Sequence, residues 1–119
     1  MRDRSVLVVE DNPVLAESIT FALTTFGWKV VGPFGSTAEA LPDARSGKFA
    51  TAVLDLDLGS ESSIPIATVL REKGIPFLFL TGHEAAREMP DDFKCETCLS
   101  KPVTPEALVR ELESCIGTR

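Results

Sequence analysis

Glu10 and Asp11 follow the short apolar run Val6–Val9, and Asp55 and Asp57 sit at the end of the stretch "TAVLDLDLGS". A buried strand that finishes on charge needs a reason. Thr81-Gly82-His83 follows the run Phe77–Leu80, and Lys101-Pro102 follows the weaker run around Leu99. If these strand ends converge, three carboxylates, a hydroxyl and an ammonium share one edge. Clustered like charges repel and lose hydration. A divalent cation resolves this, and an all-oxygen set favours magnesium, calcium or manganese over zinc. Magnesium is typically held by one or two carboxylates plus phosphate oxygens. One carboxylate is then left as a nucleophile that can form an acyl phosphate. Thr81 and Lys101 would bind the phosphoryl oxygens.

The elements that position these groups are legible in the hydrophobic pattern. Continuous apolar runs suggest strands covered on both faces, as in a parallel sheet. Between them lie helical stretches. Asn12-Pro13 reads as an N-cap followed by proline at the first helical position. Leu15, Ile19, Leu23 and Phe26 fall on one helical face, and Gly27 can close that helix. Ser36 with Glu39 makes a capping box, while Pro42 should shorten or kink the second helix. A third helix is predicted from about Ser63 to Lys73, and a short fourth around Glu84 to Met89. A last one starts at Thr104-Pro105 with Leu108, Leu112 and Ile116 at i+4 spacing.

Strand and helix alternate five times, which implies a single-domain, doubly wound α/β fold with a parallel sheet and right-handed crossovers. The expected strand order is 2-1-3-4-5. In such sheets ligands bind at the carboxyl ends of the strands. Asp55 then sits at the rim of a central strand, with Asp57 further into the loop. The neighbouring strand supplies the short Thr81. The next, roughly 10 Å from Asp55 by strand spacing, supplies the long Lys101.

The stretches "VLVVEDNPVLAESI", "AVLDLDLG", "PFLFLTG" and "LSKPVTPEAL", taken together, resemble the response-regulator receiver domain of two-component signalling, CheY-like in fold. The resemblance covers nearly the whole chain, 1–119, with a core of about 4–117. It implies that Asp55 is phosphorylated by a histidine kinase or a histidine phosphotransfer protein. Glu10 and Asp11, with Asp55 and the backbone carbonyl of Asp57, would hold Mg²⁺, with Mn²⁺ as an alternative ion. Thr81 and Lys101 would bind the phosphoryl group. Asp57 and His83 occupy positions that tune the lifetime of the acyl phosphate, and Gly82 leaves the phosphate open to small donors and water. The Lys101–Pro102 bond is often cis in such domains. A downstream target or a second copy would dock on the surface of the fourth helix, fifth strand and fifth helix.

Two departures from the family pattern matter. Receivers usually carry an aromatic residue three before the lysine, whereas this chain has Cys98, so the usual threonine–aromatic switch is in question. The loop after Asp55 reads "LDLGSESSIP" rather than a Met-Pro-Gly type, which bears on ion access and kinase docking.

Composition narrows the function classes. With 18 acidic and 12 basic residues the formal charge is −6. That disfavours nucleic acid and anionic membranes, because a phosphate-binding surface needs a basic excess. No apolar stretch approaches a membrane span and no signal peptide is evident, so a cytoplasmic protein is expected. Three cysteines fit reduced thiols better than a disulfide framework. Cys95-Glu96-Thr97-Cys98 lacks a second ligand pair and leads into a strand, where residues three apart face opposite sides. A zinc or redox site is therefore not expected there, and Cys115 reads as helix packing. His83 is the sole histidine, and no partner nucleophile suggests a hydrolytic triad.

The main expectation is thus a signalling receiver with only self-directed phosphotransfer and autodephosphorylation. A rival is a haloacid-dehalogenase-type phosphatase, which also uses Asp-x-Asp after an apolar strand. That motif usually lies near the N-terminus, and here a whole β-α-β unit precedes it. A third reading is a phosphorylation-independent interaction module, which Cys98 keeps open. The chain ends at Arg119, just after the last predicted helix, so either a stand-alone receiver or an excised domain is expected, and a stand-alone receiver would act through a partner or relay phosphate to another protein.

Overall fold

Val6, Leu7, Val8 and Val9 are all buried, because their strand has a neighbour on each side and helices on both faces. This strand, β1 (Ser5–Val9), leads into α1 (Pro13–Thr25), β2 (Lys29–Phe34), α2 (Thr37–Ser46) and β3 (Thr51–Asp55). A small hairpin, β4 (Asp57–Leu58) and β5 (Glu61–Ser62), precedes α3 (Ile64–Glu72), β6 (Phe77–Thr81), β7 (Cys98–Ser100) and α4 (Pro105–Gly117). The computed structural model describes residues 4–58, 61–81, 98–101 and 103–117, with the backbone alone for Asp57 and Glu61. The predicted helix around Glu84 to Met89 lies outside the described residues, as do Gly82, His83, Cys95 and Pro102.

The sheet runs β2-β1-β3-β6-β7 and all its pairings are parallel. Counting only these five strands, the order is the expected 2-1-3-4-5. Successive side chains of a strand point to opposite faces, and the core divides accordingly. Leu7, Val9, Leu54 and Phe79 pack with Ala40 and Ala44 of α2 and Ile66 and Leu70 of α3. Val6, Val8, Val53, Leu78 and Leu80 pack on the other face with Ile19 and Leu23 of α1 and Leu108, Leu112 and Ile116 of α4. Each such aliphatic side chain contributes about 1.5–3 kcal/mol by leaving water. The edge strands differ: β2 and β7 are only partly covered, since each has a neighbour on one side alone.

The helix ends follow the local sequence. Asn12 Oδ1 accepts the backbone N–H of Val14 at 3.0 Å and of Leu15 at 3.3 Å, with Pro13 at the first helical position. Gly27, at φ 87°, takes the chain out of α1. Phe26 does not join the core face as expected. It is 48% exposed, because α1 has ended, and Trp28 joins that core cluster. Ser36 Oγ accepts Glu39 N–H at 3.2 Å, and the Glu39 carboxylate reaches back to Gly35 N–H at 3.1 Å. Pro42 does not end α2; the helix runs on to Ser46 despite the amide hydrogen that proline lacks. Thr104 Oγ1 caps α4 by accepting Ala107 N–H at 3.1 Å.

Beside the site, β2 departs from regular pairing. The register shifts between Leu7 and Val9 of β1, and Gly32 has φ 108°. A Cβ there would lie 2.9 Å from Phe34 N and 3.0 Å from Val8 O, so only glycine fits. Two residues on, Phe34 O accepts the N–H of Glu10 at 2.9 Å.

Candidate functional site

Each candidate side chain arrives at the carboxyl edge of the sheet from a different strand. Glu10 directly follows β1 and is buried. Its Oε2 accepts the Asn12 backbone N–H at 3.0 Å, so the residue that caps α1 also orients this carboxylate. Asp11 is next in the chain and exposed. Asp55 is the last residue of β3, opposite Leu80 of β6, and only 2% exposed. Thr81 ends β6 and is buried. Its carbonyl accepts the N–H of Lys101 at 2.9 Å, which joins the two predicted phosphoryl-binding residues through the backbone.

Carboxylate oxygens of Glu10, Asp11 and Asp55 all lie within 4.8 Å of one another. The Lys101 ammonium sits 3.1 Å from Glu10 Oε1 and 3.1 Å from Asp55 Oδ2. Burial first, and then the hydrogen bond to Glu10, push the Asp55 carboxyl up to about 7, against the pull of Lys101. Burial acts to lower the lysine, but hydrogen bonds to Asp55 and Glu10 outweigh it and raise its value. A group with an ionised form this costly is suited to take a cation or to be consumed as a nucleophile.

The donor set fits a hard divalent ion. It is all oxygen, and ligand oxygens around an octahedral Mg²⁺ lie roughly 3–4 Å apart, given bonds of about 2.0–2.1 Å. The 4.8 Å cluster needs only small side-chain adjustment to reach that geometry. Asp57 heads β4, where its backbone pairs with Ser62. Cys98 opens β7 opposite Phe79 and is exposed on the edge strand. Gly82, His83 and Pro102 lie outside the described residues, as does the Asp57 side chain.

Sequence reasoning missed two features. The first is the double pairing of Lys101, which was expected to serve phosphoryl oxygens alone. The second is the β4–β5 hairpin, foreshadowed only by the alternation of Leu56 and Leu58, both buried.

Residues 6–113 match the family described as "Response regulator receiver domain". The chain belongs to that family. Among curated relatives, the probable transcriptional regulatory protein TcrX of Mycobacterium tuberculosis is 32% identical, over 92% of this chain and 48% of that protein. The DNA-binding response regulator MtrA of Mycolicibacterium smegmatis is 30% identical, over 96% and 50%. The receiver thus spans about half the length of these relatives. The solution structure of SdrG from Sphingomonas melonis Fr1 superposes with a TM-score of 0.83 at 31% identity, over 97% of this chain and 98% of that one. A CheY-like receiver domain from Methanospirillum hungatei gives the same TM-score at 18% identity, over 98% and 96%, a likeness of fold alone. The chain is therefore a receiver of two-component signalling, with the doubly wound fold of that family. Among the described residues, no helix is long and apolar enough to cross a membrane.

Proposed function

We propose that this receiver accepts a phosphoryl group on Asp55 in a Mg²⁺-dependent reaction. The observation that carries the reading is the buried Asp55 at the sheet rim, within 4.8 Å of the Glu10–Asp11 pair and 3.1 Å from the Lys101 ammonium. Glu10, Asp11, Asp55 and the backbone carbonyl of Asp57 would hold the ion. Its contribution is neutralisation of carboxylate and phosphoryl charge.

The residues divide the work. An Asp55 oxygen attacks phosphorus while the bond from phosphorus to the donor breaks. With a phosphohistidine donor, the imidazole leaves. Lys101 turns from its carboxylate partners to the incoming phosphoryl oxygens, and Thr81 donates its hydroxyl to another. Gly82 leaves the approach open, and Asp57 and His83 set how fast water attacks the acyl phosphate. The donor is a histidine kinase or a histidine phosphotransfer protein, and the setting is the cytoplasm. Output runs through a protein target or a second copy at the surface of β7, α4 and the segment before them.

The test is phosphorylation by acetyl phosphate with Mg²⁺, read as a Phos-tag mobility shift, in which acetate is the leaving group. Wild type shifts and Asp55→Ala does not. A shift that persists in Asp55→Ala moves the phosphoacceptor elsewhere and overturns the proposal.

A further inference from the structure

The first helix carries apolar residues in two directions. Ile19 and Leu23 enter the core, while Val14 and Phe21 are 77% and 73% exposed. Phe21 lines a groove of about 600 Å³ between α1 and the end of β2, where Pro33 also lines it. Glu10, Asp11 and Glu17 line it as well, and among the described residues no lysine, arginine or histidine does. Thr20 contributes a buried hydroxyl oxygen that makes no hydrogen bond. From Pro13 to Thr24 the helix rises about 16 Å, which sets the length of the groove.

We infer that this groove binds a small organic cation: an aromatic or branched apolar body that carries an ammonium or guanidinium group. The volume is that of sites for whole small molecules, which pair an apolar lining with a few polar groups. Glu10 is balanced by Lys101, but the exposed Asp11 and Glu17 carboxylates along a low-dielectric wall focus negative potential and concentrate cations. The exposed Phe21 ring offers apolar contact and a cation–π face. The Thr20 hydroxyl is available to accept a hydrogen bond. A second copy of the chain is the wrong occupant, because α1 contains no lysine or arginine. Pairing two such faces would set Asp11 and Glu17 against like charges. The groove borders β2, at the opposite edge of the sheet from β7, so it is distinct from the partner surface proposed above. It also needs no phosphoryl chemistry and stands if the phosphoacceptor reading fails.

The experiment is an amide-resolved NMR titration of the full chain, free of Mg²⁺ and at low salt, with 2-phenylethylamine. Shifts are expected to saturate and to cluster at Thr20, Phe21, Thr24 and Gly35. The neutral isostere 2-phenylethanol should bind about tenfold more weakly, the loss of one charge-assisted contact. Nα-acetyl-lysine amide, standing for a lysine on a partner protein, should also bind more weakly than the aromatic amine. Phe21→Ala and Glu17→Gln change exposed side chains, so each should remain folded by circular dichroism and lose about threefold or more in affinity. Equal binding of the alcohol, tighter binding of the lysine amide, shifts elsewhere, or unchanged affinity in both variants overturns the inference. So does a concentration-dependent dimer that perturbs the same amides without amine.

Discussion

The Lys101 ammonium lies 3.1 Å from Asp55 Oδ2 and equally close to Glu10 Oε1. Before any ion or phosphoryl group arrives, the lysine is thus the counterion of two buried carboxylates. Lys101→Met removes that cation and leaves both acids facing each other. Removing one partner of a buried pair costs about 3–5 kcal/mol, and partial solvent access to Lys101 reduces this to about 1–3 kcal/mol. The thermal midpoint in EDTA at neutral pH should fall by several degrees, followed through the buried Trp28. The lysine value is raised, so its contribution is fully present below the ordinary value near 10.5 and fades only above it. An unchanged midpoint would remove Lys101 from this role.

Asp55 gives the opposite pH profile. Its folded value of about 7 lies above the unfolded value of about 3.9. The neutral acid therefore stabilises the fold, fully below about pH 4, and that stabilisation is gone above about pH 7. Asp55→Asn keeps the shape without the charge. In EDTA the variant should be more stable than wild type at pH 8, with the gap closing as pH falls toward 5. A constant gap across that range would contradict the raised value.

Magnesium should raise the unfolding midpoint of wild type, by about 2.7 kcal/mol at a hundredfold excess over its dissociation constant. Asp11→Ala should lose most of that gain, although Asp11 is exposed and its loss costs the metal-free fold little. Because Asp55 must be ionised to act as a ligand, affinity should strengthen as pH rises across 7, with proton release on binding. Calorimetry in two buffers of different ionisation enthalpy measures that release. Equal stabilisation of wild type and Asp11→Ala would place the ion elsewhere.

Thr81→Ala should still be labelled by acetyl phosphate but should not switch. The Thr81 carbonyl holds Lys101 N–H at 2.9 Å, so a pull on the hydroxyl is transmitted into β7 without the aromatic residue that Cys98 replaces. Beryllofluoride should shift β7 amides in wild type and leave them near their starting positions in the variant. Wild-type-like shifts in Thr81→Ala would remove its switching role.

Much of this was legible in the chain itself. The continuous runs Val6–Val9 and Phe77–Leu80 mark strands buried on both faces, and their side chains alternate between the two helix layers. Asn12-Pro13 and Thr104-Pro105 mark helix starts because capping chemistry is local. Leu108, Leu112 and Ile116 mark the buried stripe of α4 for the same reason. The carboxylate cluster followed from topology, since the parallel order brings β1, β3 and β6 side by side. What local pattern does not carry is competition between elements. Phe26 falls past the end of α1 and outside the core that Trp28 joins, and Pro42 was overridden by the packing of α2. The pairing of Lys101 with two acids depends on distances that no spacing rule supplies.

The close fit at Gly32 reaches further than the strand it serves. Any larger residue there pries β2 from β1 and withdraws the carbonyl that anchors Glu10. The result would be an acid with no fixed aim, in a protein otherwise intact. A genetic screen for deafness to the upstream signal should therefore yield lesions at this glycine alongside those in the carboxylates, and only metal titration would tell the two apart.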